Sequence, residues 1–227
     1  MSPTHSPAPS HRVFRAVLLD LDGTLVDSTP AVERSWVRWC EEFGVEPERL
    51  ARQHGVPARQ IIGSVLPGQR FGEALARIHD LEVADTDGVV PLPGAVELLD
   101  TLAGAGVPTA VVTSCDDVLA DVRIRAAGLP RPELVVTASD VAHGKPFPDP
   151  WLVGAERLGV DPADCLVVED AVAGLQAARD AGCGGRVALL STTPREALEP
   201  LADLVVTDVA ELLGRMSAAD GVVRLEG

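Results

Sequence analysis

Val17-Leu18-Leu19-Asp20-Leu21-Asp22-Gly23-Thr24 passes from an aliphatic run to a pair of carboxylates and a glycine. Short aliphatic runs bounded by turn residues are the strands of parallel α/β sheets, which are buried on both faces and therefore lack polar alternation. Two further runs end in the same way: Ala110-Val111-Val112 leads into Thr113-Ser114, and Leu166-Val167-Val168 into Glu169-Asp170. Ligands of such sheets gather outside the carboxyl ends of the strands, so these termini are expected to open onto one crevice. Lys145, in Gly144-Lys145-Pro146, is the chain's single lysine and the expected fourth corner.

Outward from these runs, strand and helix alternate. The apolar spacing predicts helices over Gly94 to Ala105, Asp116 to Ala127, Pro148 to Leu158 and Ala171 to Ala181, and a short one near Pro194 to Leu198. Strands are expected at Pro108 to Val112, Leu134 to Val136, Cys165 to Val168, Arg186 to Leu190 and Leu204 to Val206. This order predicts an α/β fold, a Rossmann-like doubly wound parallel sheet, because right-handed crossovers lay the helices on the sheet faces. Between Pro30 and about Leu92 the pattern changes to helical segments only, Pro30 to Phe43, Pro47 to His54, Pro57 to Leu66 and Phe71 to Leu81. Such a length is too great for an ordinary connection, so 30–92 is read as an inserted all-helical domain. The expected core is then 13–29 plus 93–216, with loose tails at 1–12 and 217–227.

The formal net charge of −15 opposes binding to nucleic acid or acidic membrane, both of which need a basic surface. It also repels phosphate esters, so a phosphate-handling site must carry its own local positive charge. Cys40, Cys115, Cys165 and Cys183 show no metal-ligand spacing, and no apolar stretch approaches a membrane span, which leads to the expectation of a reduced cytoplasmic protein.

Two carboxylates on a strand end followed by Gly23 suit phosphoryl transfer, with Asp20 as nucleophile and Asp22 as acid and then base. Glu169 and Asp170 supply hard oxygen ligands of the kind Mg²⁺ takes. Thr113 offers a hydroxyl to a phosphoryl oxygen, and Lys145 a compact charge to Asp20 and the transferring group. Singly, each element has an ordinary structural explanation, as a turn, a helix cap, a loop start or a solvated lysine. Their joint occurrence at strand ends argues for chemistry.

DLDGTLVDS from Asp20, VVTS to Ser114, GKPFPDP from Gly144 and VVEDAVAGLQAARDAGC from Val167 resemble the four motifs of the haloacid dehalogenase superfamily of phosphatases. The resemblance implies Asp20 as nucleophile, Asp22 as general acid/base, Thr113 and Ser114 at the phosphate, Lys145 as the balancing charge, and Asp20, Asp22, Glu169 and Asp170 around Mg²⁺. Asp22 would ligate through its main-chain carbonyl. It also implies that 30–92 is a small helical cap, in which Glu33, Arg34, His54 and Arg59 are candidate substrate contacts. The chain is similar in particular to hexitol-, 2-deoxyglucose-6- and glycerol-phosphate phosphatases. The expected activity is Mg-dependent hydrolysis of small sugar or sugar-alcohol phosphates through an aspartyl-phosphate, by a monomer or weak homodimer. The alternative is a hexose-phosphate mutase of the β-phosphoglucomutase type. Against it, Val32 stands where those relatives have a histidine, and the absence of lysine from the insertion excludes a Schiff-base phosphonate hydrolase.

Overall fold

The computed structural model describes residues 12–50, 58–66 and 68–225. Strands β1 (Val13–Phe14) and β2 (Ala16–Leu19) come first, and β3 (Val26–Asp27) follows the turn at Gly23. Helices α1 (Thr29–Phe43), α2 (Ala58–Val65) and α3 (Phe71–Ala84) run next, before β4 (Val90–Pro91). Strand and helix then alternate through α4 (Ala95–Gly104), β5 (Thr109–Val112), α5 (Asp117–Ala126), β6 (Leu134–Val136), α6 (Asp149–Leu158), β7 (Cys165–Glu169) and α7 (Val172–Asp180). The chain continues with β8 (Gly185–Leu189), α8 (Arg195–Leu198), β9 (Leu204–Val206), α9 (Val209–Leu213), β10 (Met216–Ala219) and β11 (Val222–Leu225).

The main sheet has the order β6-β5-β2-β7-β8-β9 and is parallel throughout. The chain winds one way from β2 to β6 and the other way from β7 to β9, so the reversal falls between β2 and β7. That reversal is where a doubly wound sheet leaves a crevice at its carboxyl edge. Both faces of β2 are covered. Val17 and Leu19 join a cluster with Leu98, Leu102, Val111, Leu119, Val168 and Leu212, whereas Ala16 and Leu18 face Ala110, Val112, Trp151, Ala155, Val167 and Ala177. The period of two along the strand thus meets apolar residues from both helical layers, which explains its unbroken aliphatic sequence.

The helices between β3 and β4 have an apolar cluster of their own, built on Trp39, Cys40, Phe43, Ile62, Ala74, Ile78 and Leu81. Trp39 stacks on Phe43 at 4.8 Å and donates its indole N–H to the Ala74 carbonyl at 2.9 Å, fastening α1 to α3. Pairing of β3 with β4, Val26 opposite Pro91 and Asp27 opposite Val90, brings the outgoing and returning chains together. A helix expected over Pro47 to His54 is a single 3-10 turn at Pro47–Leu50, and the remainder of that segment lies outside the described residues. No helix among the described residues is long and apolar enough to cross a membrane.

One expectation is overturned. The segment read as a loose tail from Ser217 forms the hairpin β10–β11, and β11 pairs with β1, placing Phe14 opposite Val223. Asp220-Gly221 makes the turn with both residues at positive φ, the backbone that a tight hairpin requires. Val223 and Leu225 alternate inward against Phe14, so the tail is held by apolar burial that its short, mixed sequence hides. Arg12, also assigned to a tail, donates to the Gly184 carbonyl.

Each of Val223 and Leu225 contributes about 1.5–3 kcal/mol by burial. A chain ending after Arg215 is therefore expected to lose at least about 3 kcal/mol of stability. Urea unfolding measures this, and an unchanged midpoint would mean that the hairpin adds nothing.

Candidate active site

Asp20 follows directly on β2, and its backbone N–H donates to the Val168 carbonyl at 3.0 Å, extending the β2–β7 ladder by one step. Glu169 ends β7 and Asp170 follows it, so these three carboxylates meet where the sheet reverses. An oxygen from each lies within 4.8 Å of the others, and all three residues are buried. Lys145, from the loop before α6, places Nζ 2.6 Å from Asp20 Oδ1, 2.8 Å from Glu169 Oε2 and 3.0 Å from the Val112 carbonyl. The ammonium also lies 4.4 Å from the centre of the Trp151 ring. One cation thus ties the ends of β2, β5 and β7 together.

Two glycines leave room for these carboxylates. A Cβ at Gly23, whose φ is +86°, would stand 2.1 Å from Asp170 Oδ2, and one at Gly174 would stand 1.9 Å from Glu169 Oε2. Ser191 and Thr192, just beyond β8, donate their hydroxyls to Asp170 Oδ2, Ser191 at 3.2 Å. Ser191 also donates to the Gly23 carbonyl, linking the loops that carry Asp20 and Asp170. Both oxygens of Glu169 are engaged. Oε2 accepts from Lys145, and Oε1 from the Asp170 and Ala171 backbone N–H groups, each at 3.1 Å.

The electrostatics follow from this crowding. Burial, reinforced by Glu169, pushes Asp20 up to about 7 despite the opposing pull of Lys145. Burial and the Asp20 charge raise Asp170 to about 6, and burial raises Glu169 as well. Burial alone would depress Lys145, but Asp20 and Glu169 outweigh it and hold its pKa above the ordinary lysine value. Three carboxylates against one ammonium leave the cluster short of positive charge. Hard oxygen donors with a net negative charge suit a divalent cation such as Mg²⁺.

Thr113 is buried at the end of β5, and its Oγ1 accepts from the Cys115 N–H at 3.1 Å, leaving the hydroxyl proton available. Ser114 is exposed beside it. Asp22 stands apart from the three-carboxylate cluster. Ser28 Oγ donates to its Oδ1 at 2.7 Å, and Cys115 Sγ and Arg123 Nη1 reach Oδ2 at 3.1 and 2.8 Å.

The candidates in the helical insertion fare differently. The Arg34 guanidinium, half-exposed, forks onto Asp85 at 2.8 and 2.9 Å and donates to the Asp87 carbonyl, bracing α1 against the chain beyond α3. Glu33 lines a shallow surface groove with Arg34, Pro30 and Val37. Arg59 lies over the Phe71 ring at 5.4 Å, joining α2 to α3. His54 lies outside the described residues. Sequence reasoning overlooks Ser28, Ser191, Thr192 and Arg123. Only Arg123 carries a signal in the sequence, a charge on the apolar stripe formed by Leu119, Ala120 and Ile124.

A family model described as haloacid dehalogenase-like hydrolase matches residues 14–182. Among curated proteins, the chain is 46% identical to hexitol phosphatase A of Escherichia coli over 173 residues, covering 74% of this chain and 80% of that one. It is 33% identical to validoxylamine A 7'-phosphate phosphatase of Streptomyces hygroscopicus, covering 88% and 96%. A solved hydrolase from Pseudomonas syringae superposes with a TM-score of 0.79 at 28% identity, covering 88% of this chain and 96% of that one.

The buried cluster has a consequence measurable without any substrate. An aspartate whose folded pKa lies above its unfolded value destabilises the fold once it ionises, so the penalty is absent below pH 3.8 and complete above about pH 7. Asp20→Asn is therefore expected to stabilise the metal-free protein by roughly 2–4 kcal/mol at pH 8 and by almost nothing at pH 4. Chemical denaturation in EDTA across that range measures the difference, and a gain that did not grow with pH would refute the assignment of strain to Asp20.

Proposed function

The chain belongs to the haloacid dehalogenase-like hydrolases, and from that membership we propose that it is a Mg²⁺-dependent phosphatase of small sugar or sugar-alcohol phosphates. The observation that carries this reading is Lys145 spanning Asp20 and Glu169 beside Asp170, with Thr113 at the neighbouring strand end. The relatives named for hexitol phosphate, fructose 1-phosphate and glycerol 1-phosphate support the substrate class. Four free, buried cysteines fit the reducing cytoplasm in which we place it.

Asp20 acts as nucleophile. As a carboxylate oxygen bonds to phosphorus, the ester P–O bond breaks and Asp22 gives its proton to the departing alkoxide, releasing the alcohol and leaving an aspartyl-phosphate. Water then attacks phosphorus and yields a proton to Asp22. The bond to Asp20 breaks, and inorganic phosphate leaves with Asp22 protonated for the next turnover. Lys145 holds Asp20 in place and stabilises charge on the phosphoryl oxygens, and the hydroxyls of Thr113 and Ser114 donate to them. Asp20, Asp170 and the Asp22 main-chain carbonyl would hold Mg²⁺, which when bound supplies a Lewis acid for phosphoryl oxygens. Glu169, with both oxygens engaged, serves chiefly to anchor Lys145. The helical insertion 30–92 acts as a cap over the crevice, with His54 and Arg59 as candidate sugar contacts.

Phosphate release is expected from hexitol, hexose and glycerol phosphates with Mg²⁺, and none in EDTA. Asp20→Asn should lower turnover by at least about 10³-fold, since the neighbouring carboxylates are held elsewhere, Glu169 by Lys145 and backbone N–H groups and Asp170 by Ser191 and Thr192. Asp22→Asn should slow alkyl esters by about 10²–10⁴-fold. A quenched reaction gives a phosphoryl adduct on Asp20 by peptide mass spectrometry, and an adduct elsewhere would sink the nucleophile assignment. Incubation with glucose 1-phosphate separates hydrolysis from mutase action by its product, free phosphate or the 6-phosphate.

A further inference from the structure

Helix α5 turns Leu119, Ala120 and Ile124 inward, and Arg123 shares that face with a side chain only 9% exposed. A guanidinium taken out of water is costly unless well paired, and an apolar side chain would fill the same space without that cost. The pairing therefore points to a purpose other than stability. Nη1 lies 2.8 Å from Asp22 Oδ2 and donates to the Cys115 sulfur at 3.1 Å, while Nη2 donates to Glu82 Oε2 at 3.3 Å. Cys115 Sγ reaches the same Asp22 oxygen at 3.1 Å, and Ser28 Oγ holds the other at 2.7 Å. Glu82 belongs to α3, Ser28 precedes α1, and Cys115 follows β5. The Asp22 carboxylate is thus gripped from three directions, with Arg123 as its only charged partner among the described residues.

We propose that Arg123 is the positioning residue of Asp22, with Glu82 holding the far side of the guanidinium, so that the carboxylate that moves the proton is presented in one orientation. The inference rests on the phosphatase reading and on Asp22 as its proton carrier. Arg123 makes no contact with Asp20 or Lys145; its guanidinium touches Asp22, Glu82 and Cys115. The planar fork is essential, because one nitrogen meets Asp22 and the other Glu82. A lysine, with a single nitrogen, cannot reproduce both contacts in the same geometry.

This role separates substrates by leaving group. An alkoxide leaving a sugar alcohol needs the proton from Asp22 as the P–O bond breaks, whereas nitrophenolate departs readily without one. The test compares kcat/KM, which covers the steps through release of the alcohol, for sorbitol 6-phosphate and p-nitrophenyl phosphate with the full chain and Mg²⁺. Arg123→Lys and Arg123→Ala are expected to lose about 100-fold on sorbitol 6-phosphate and less than about fivefold on the nitrophenyl ester. Guanidinium ion at tens of millimolar should restore part of the Arg123→Ala loss on the alkyl ester. In an Asp22→Asn background, changing Arg123 should leave the ratio between the two esters unaltered.

Should Arg123→Ala fail to fold by circular dichroism, Arg123→Lys keeps the charge and decides the matter. Equal losses on both esters, no loss on either, or a further change of the ratio in Asp22→Asn would overturn the proposal while leaving the phosphatase reading intact. Absence of hydrolysis by the unaltered protein would bring down both.

Discussion

The Lys145 ammonium, held between the buried Asp20 and Glu169 carboxylates at 2.6 and 2.8 Å, is the interaction on which the rest of the site depends. Without it, three carboxylates would share a space that water barely enters, in a chain already carrying a net charge of −15. Even with it, burial, reinforced by the neighbouring carboxylates, displaces Asp20 and Asp170 upward, and three carboxylates face a single ammonium. A site with this imbalance resists protonation and repulsion only when a cation joins it. The same imbalance favours the phosphoryl chemistry proposed, because a cation and Lys145 together offset a dianionic ester that the protein as a whole repels.

Neighbouring residues are constrained by this cluster. Gly23 and Gly174 are glycines because carboxylate oxygens occupy the volume a Cβ would need. Trp151 serves two elements at once: its ring underlies Lys145, and its indole N–H donates to the Gly174 carbonyl at 3.0 Å, tying α6 to α7. Packing and charge placement are therefore coupled, so a change in either layer reaches the carboxylates.

Sheet topology does the gathering. Asp20, Thr113 and the Glu169-Asp170 pair come from regions of sequence far apart, yet β2, β5 and β7 are adjacent strands of one parallel sheet. The helical insertion leaves and returns through the paired β3 and β4, so it carries its own apolar cluster without interrupting the core. Through Glu82 it also touches Arg123, which brings a residue of the insertion within one side chain of Asp22.

The six strands of the main sheet, the helices between them, the strand-end residues Asp20, Thr113, Glu169 and Asp170, and Lys145 in the loop before α6 are legible in the sequence. Each strand and helix is announced by a local pattern, an aliphatic run or a helical period, and the site residues follow those runs or stand in short motifs. The hairpin at 216–225 is not legible in the same way, because its strands are short and its burial depends on Phe14 at the other end of the chain. The pairing of Arg34 with Asp85 is likewise not legible locally, since it joins residues far apart in sequence. Side-chain partners of this kind are set by distances between segments remote in sequence, and no local period encodes them. The order of residue types along the chain thus determined the architecture and the chemistry available at the strand ends. Only the folded chain decided which charges meet, that Glu169 turns to Lys145 and that Arg123 grips Asp22, because ion pairing depends on separations of a few ångströms that arise from packing.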